Sequence, residues 1–132
     1  MLCYDGSDET KEGINEAVKQ ARAFKAKVYV VTSVKLIDKD YSKIMEPIYS
    51  DHEKLKKVCD ENNVPCETVI VWRHGEDAPG DSLVLFAKEK TVDQMIIGLR
   101  RRSKVGKLVF GSVAQYVLLK ADCPVIAVKK KN

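Results

Sequence analysis

Five short apolar runs alternate with four segments of helical period, and that alternation leaves the chain few architectures. The runs fall at residues 1–5, 27–34, 66–72, 92–97 and 125–128. The second, KVYVVTSV, and the third, CETVIVW, are rich in β-branched residues, which suit a buried strand. Strands that each hand over to a helix imply right-handed βαβ crossovers and a mainly parallel sheet covered on both faces. In such sheets a ligand sits at the carboxyl ends of the strands, where strand order reverses. With the order 3-2-1-4-5, that crevice falls between strands one and four.

The helical segments carry their own signals. Gly6-Ser7-Asp8 reads as a capping turn, and Ile14, Ala17, Val18, Ala21 and Phe24 then recur at helical spacing, predicting one apolar face. Residues 35–49, charged and containing Pro47, read as an irregular loop. A second helix is expected over 48–62 with Leu55, Val58 and Cys59 inward, stopped by Asn62-Asn63-Val64-Pro65. A third is expected over 79–89, with Pro79 in its first turn and Leu83, Phe86 and Ala87 on one face, and a fourth over 111–120. The first strand is so short that a longer one, beginning before Met1, is expected. With 132 residues, no repeat and no linker, residues 1–132 read as a single domain.

The most informative stretch for chemistry is 93–116, DQMIIGLRRRSKVGKLVFGSVAQY. Met95, Ile96 and Ile97 read as a buried strand that stops at Gly98. A basic, glycine-punctuated loop follows and ends at Gly111-Ser112, where a helix begins. Such a strand–loop–helix unit suits phosphate, because glycines admit backbone N–H groups and the helix start adds unpaired donors. The plainer reading stands beside it: Gly98 ends a strand, Ser112 is an ordinary N-cap and the arginines are solvated. A Walker A loop is excluded, because Leu108 follows Gly106-Lys107 and Arg101 stands where the first glycine belongs.

Composition narrows the function classes. The chain is 45% hydrophobic and 32% charged, as expected of a soluble globular protein and not of a disordered one. The net charge of +4 is concentrated in Arg100, Arg101, Arg102, Lys104, Lys107 and Lys129–Lys131. A local excess favours one anionic ligand site over a surface that coats nucleic acid. No apolar run is long enough to span a membrane, and the start lacks a signal-peptide pattern. Cys3, Cys59, Cys66 and Cys123 form no CxxC and no metal-ligand spacing. Three of them lie in or beside strand-like runs, which points to free buried thiols and a reducing, cytoplasmic setting.

Tyr4-Asp5-Gly6-Ser7, the run GLRRRSKVGKLVFGS over 98–112 and the closing ADCPVIAV over 121–128 together resemble the universal stress proteins. The resemblance covers essentially the whole chain in element order and length. It implies a doubly wound, adenine nucleotide alpha hydrolase-like α/β fold, five strands in the order 3-2-1-4-5 and four helices. It also implies a homodimer and a ligand that is ATP or another adenine nucleotide, with or without magnesium. The family's nucleotide motif reads Gly-x2-Gly-x9-Gly-Ser/Thr. Gly98, Gly111 and Ser112 match it, but Arg101 replaces the second glycine, bringing bulk together with a charge that can pair with phosphate. By the same resemblance Asp5, with Gly6 and Ser7 beside it, lies near the ribose or adenine, and Val34 offers its backbone to the adenine edge. Gly98, Gly111, Ser112 and Val113 surround the phosphates. Val125, Ile126, Ala127 and Val128 form an edge strand that pairs with its copy in a second subunit.

Other functions find less support in the residues. His52 and His74 stand in no Ser/His/Asp or Cys/His arrangement and read as surface or loop histidines, so no catalytic residue is assigned. A slow ATPase activity stays open as an alternative, although no side chain is placed to activate water for ATP hydrolysis. A phosphoacceptor receiver domain would need an aspartate at the end of strand three, where Trp72-Arg73-His74 stands. Few aromatics and no helix-turn-helix or zinc pattern weigh against nucleic acid. The expectation is a nucleotide-binding stress-response module. The alternative is a dimeric interaction module of the same family without nucleotide.

Overall fold

The computed structural model describes residues 1–37, 40–78, 80–100 and 110–130. In chain order the elements are β1 (Leu2–Cys3), α1 (Asp8–Phe24), β2 (Val28–Lys35), α2 (Ser42–Glu61) and β3 (Cys66–Arg73), then α3 (Asp81–Glu89), β4 (Met95–Leu99), α4 (Ser112–Lys120) and β5 (Val125–Lys129). The five strands form one parallel sheet in the order β3-β2-β1-β4-β5. The doubly wound architecture expected from the alternation is therefore the one observed.

Strand alternation sorts the core into two layers. Leu2, Val28, Val30 and Ile96 pack against Ile14, Ala17, Val18 and Ala21 of α1 and Leu55 and Cys59 of α2. From the opposite face, Cys3, Val31, Met95 and Ile97 meet Leu83, Val84, Phe86 and Ala87 of α3 and Ala114 and Val117 of α4. Residues buried on both faces explain why these strands read as continuous apolar runs.

Several expectations need correction. Phe24 is 73% exposed, not part of the α1 face. It is the last helical residue, and the chain turns away at Lys25, whose φ of 52° caps the helix. The predicted loop over 35–49 is largely helix, because α2 begins at Ser42 and carries Pro47 inside it. The missing proline N–H is tolerated because the first turn is anchored on both sides. Met45 is buried and donates its amide to the Tyr41 carbonyl at 2.8 Å, and the Tyr41 ring meets Trp72 of β3 edge-on at 5.6 Å. The fourth strand starts at Met95, not at residue 92, because the Val92 amide closes the end of α3 on the Ala87 carbonyl at 2.9 Å. Pro79, Arg101, Arg102, Lys104, Lys107 and Lys131 lie outside the described residues.

All four cysteines are free. Cys3 and Cys59 are buried, and burial pushes the Cys3 thiol up to about 12, which keeps it protonated and inert. Among the described residues no cluster of His, Cys, Asp and Glu is arranged to hold a metal, and no helix is long and apolar enough to cross a membrane.

Candidate functional site

Asp5 lies two residues past the end of β1, the shortest strand, whose neighbours β2 and β4 run on and leave a notch at the carboxyl edge of the sheet. The carboxylate organises that notch. Its Oδ1 accepts from the Ser7 amide at 2.9 Å and from the Thr10 hydroxyl at 3.0 Å, while Oδ2 accepts from Arg100 at 3.0 Å. Partial burial pushes this carboxyl up, but the hydrogen bonds from Ser7 and Thr10 and the Arg100 charge outweigh it and hold the group below its ordinary value. Gly6 follows with φ of 83°, a left-handed turn that lets the chain reverse into α1. Ser7 is the N-cap of α1, its hydroxyl accepting from the Thr10 amide at 3.3 Å.

Two hollows flank Asp5. The first, about 440 Å³, lies on the α2 side and is walled by Thr32 and Val34 of β2 and by Ile44, Pro47, Ile48 and Asp51 of α2. Its polar wall is tied off. The Tyr4 hydroxyl donates to Asp51 Oδ2 at 2.8 Å, and the buried Thr32 hydroxyl and His52 Nε2 lie 2.7 Å apart. The Tyr4 and His52 rings meet edge-on at 6.3 Å. Burial, then the bond to Asp51, raises the Tyr4 phenol well above its usual range. Burial likewise lowers the His52 imidazole, against the pull of the Asp51 charge. His52 is therefore a structural core histidine, not the surface residue expected. Its partner lies on a strand 20 positions earlier, which sequence spacing does not reveal.

The second hollow, about 330 Å³, opens on the α3/α4 side. Its rim combines Ser33 of β2, Arg73 of β3, Gly98 of β4, Arg100 just after it, and Gly111, Ser112 and Val113 at the start of α4. Gly111 is the N-cap of α4, not Ser112, and no side chain caps the helix. Among the described residues, the first amides of α4 thus receive no bond from a capping side chain at the rim. Ser33 reaches across to Ser82 of α3, with 2.8 Å between the hydroxyls. The hollows share Tyr4, Asp5 and Ser33. A third one, about 570 Å³, lies at the opposite ends of the strands near Phe24 and Asp93, away from the notch.

The structure thus brings Asp5, Gly6 and Val34 together on one side and Asp5, Gly98, Gly111, Ser112 and Val113 on the other. Ser7 lines neither hollow, and Arg101 is outside the described residues. Gly98 has a packing reason of its own. A Cβ there would come within 2.9 Å of Glu9 Cβ and 3.2 Å of the Thr10 amide nitrogen, so the glycine lets β4 sit against the first turn of α1. Val34 contributes its side chain. Because Val31 accepts from Tyr4 while Leu36 donates to Arg73, alternation turns the Val34 backbone towards β3 and leaves Ser33 and Lys35 facing the notch. Val125, Ile126 and Val128 are half-buried and Ala127 exposed, with β4 on one side and no strand on the other among the described residues.

Sequence reasoning missed Tyr4, Thr32, Asp51 and Arg73. Only Arg73 carried a usable signal, a cation at the carboxyl end of a strand in a parallel sheet. The rest meet through contacts between α2 and the sheet.

Comparison with known proteins bears on the family and the fold. A universal stress protein of Thermus aquaticus is 30% identical over 138 residues, covering 98% of this chain and 96% of the relative. A solved universal stress protein of Archaeoglobus fulgidus superposes with a TM-score of 0.82 at 33% identity, covering 96% of this chain and 95% of that one. Another from the same organism, solved in complex with dAMP, gives a TM-score of 0.79 at 27% identity over 96% and 94% of the two chains. Both share the doubly wound, adenine nucleotide alpha hydrolase-like fold. The sequence also matches the profile of the universal stress protein family over residues 1–129. With that profile matched over residues 1–129 and a relative 30% identical over nearly its whole length, this chain belongs to the universal stress protein family.

Proposed function

We propose that the protein binds ATP or a related adenine nucleotide at the Asp5 notch and acts in a stress response through binding, as a cytoplasmic homodimer. The observation that carries this reading is the pair of hollows meeting at Asp5. One is apolar-walled and sized for a base, and the other is rimmed by Arg73, Arg100 and the uncapped start of α4. A base on the α2 side and phosphates on the α3/α4 side match the chemistry of the two walls. The family relative solved with dAMP supports the same ligand class.

In this reading Asp5 accepts from the ribose hydroxyls, and Gly6 keeps the turn beside it tight. Val34 packs on the base while Ser33 and Lys35 present backbone groups to its edge. Gly98, Arg101, Gly111, Ser112 and Val113 surround the phosphates, and magnesium, where bound, neutralises them further. Ser7 acts indirectly, by capping α1 and holding Asp5. Among the described residues no group is positioned as a general base towards the phosphate side, which supports a role in binding. Val125, Ile126, Ala127 and Val128 supply the dimer edge, since an unpaired apolar edge strand invites a second strand.

Isothermal titration of ATP, AMP and cyclic AMP, with and without magnesium, tests the ligand, and light scattering after size exclusion tests the dimer. Micromolar affinity for at least one nucleotide is expected. Silence from the wild type together with binding by Arg101→Gly would show that the arginine closes the site. Silence from both would leave the dimeric interaction module.

A further inference from the structure

Arg73 closes β3, and alternation carries its side chain to the α3/α4 face together with Val69 and Val71. There it lines the hollow on the wall facing Gly98 and Arg100. Its Nε is buried and has no hydrogen-bond partner among the described residues. Among the described residues, three carboxylates at this end of the fold have partners of their own. Asp77 accepts from the His74 amide at 2.9 Å, Asp81 from the Tyr116 hydroxyl at 2.8 Å and Asp5 from Arg100 at 3.0 Å. Lys35, its register neighbour on β2, adds a second positive charge and no acceptor.

A guanidinium is a planar group of five donors and no acceptor. When a buried donor of this kind lacks a partner, an ion, a ligand or a water normally completes it. Arg100 already has a carboxylate, whereas among the described residues Arg73 has none, and the fork of a guanidinium matches phosphoryl oxygens better than an ammonium does. We infer that Arg73 holds phosphoryl oxygens of the ligand from the β3 wall, so that the protein selects phosphorylated adenosines over the bare nucleoside. This assignment rests on the nucleotide-binding reading above and adds a ligand contact outside the glycine motif.

The test compares wild type, Arg73→Met, Arg73→Lys and the exposed-cation control Lys19→Met by titration with ATP, adenosine and inorganic tripolyphosphate, alongside thermal melts without ligand. Arg73→Met should weaken ATP and tripolyphosphate by about tenfold or more. Adenosine binding should stay unchanged, Arg73→Lys should restore part of the loss and Lys19→Met should behave as wild type. Without ligand, Arg73→Met should melt no lower than wild type, because it removes a buried donor that has no partner; a purely structural arginine would melt lower. Tripolyphosphate binding that depends on Arg73, with no nucleotide bound, would sustain the arginine and overturn the nucleotide reading. ATP binding unaltered in Arg73→Met would overturn the arginine alone, and a wild type blind to all three ligands would overturn both.

Discussion

On the α2 side of Asp5 the polar side chains pair off: Tyr4 with Asp51, Thr32 with His52. On the α3/α4 side, among the described residues, Arg73 Nε has no partner and the glycine N-cap of α4 supplies no side-chain bond. The two hollows are within a factor of two in volume and share three residues, so size does not separate them. Satisfaction of polar groups does. A wall whose hydrogen bonds are closed is preformed and offers shape, while a wall with open donors offers charge and gains from an anion. The first should tolerate little change in the empty protein, and the second should reveal mutations mainly when ligand is added.

The largest effect expected is from His52→Ala, which opens a cavity and orphans the Thr32 hydroxyl, at about 2–4 kcal/mol of stability in urea unfolding. A loss under about 1 kcal/mol would mean that this pair does not fix the wall. The same histidine sets a pH dependence. Its folded pKa is lowered, so below the unfolded value of about 6.5 the unfolded chain takes up a proton that the folded chain resists. Stability should therefore fall as pH drops through that window, and His52→Gln should flatten the slope. Asp5 acts by the same sign at lower pH, its contribution present above about 4 and lost as pH falls through its lowered folded value.

Next comes Gly98→Ala, expected to cost about 1–3 kcal/mol without any ligand, because the new methyl runs into Glu9 and Thr10. Gly111→Ala, whose Cβ would meet nothing within 4 Å, should cost less than about 1 kcal/mol. Equal losses at the two glycines would break the distinction between a packing glycine and a rim glycine. Tyr4→Phe should cost about 1 kcal/mol by leaving Asp51 without its donor. Smallest is Arg100→Ala, a part-exposed ion pair expected to shift stability by less than about 1 kcal/mol while weakening ATP more than adenosine in titration.

The order of elements and the glycine turns were legible in sequence because they depend on local period and on backbone permissiveness. Met95, Ile96 and Ile97 announce a strand buried on both faces, and Gly6 announces a left-handed turn. The start of α2 was not legible. Pro47 signals a break locally, and the contacts that outweigh it, Met45 in the core and Tyr41 against Trp72, are tertiary. The role of His52 was hidden for the same reason. Gly98 shows the opposite hazard: its motif position was readable, yet its tightest neighbours are on α1, more than eighty residues earlier.

Pro47 also divides α2 into unequal parts. Ahead of it the first turn, with Ile44 on the wall of the α2-side hollow, is fastened by few amide bonds, and the ladder lacks a rung where the proline nitrogen falls. Behind it, His52, Leu55 and Cys59 lock the remaining turns into the core. The two parts should therefore exchange their amide protons with deuterium on separate schedules, the Met45 and Glu46 amides well before those around Leu55. The hollow should then have one corner, at Ile44, that opens while the rest of the helix stays closed, a way in for a ligand that does not require the fold to loosen.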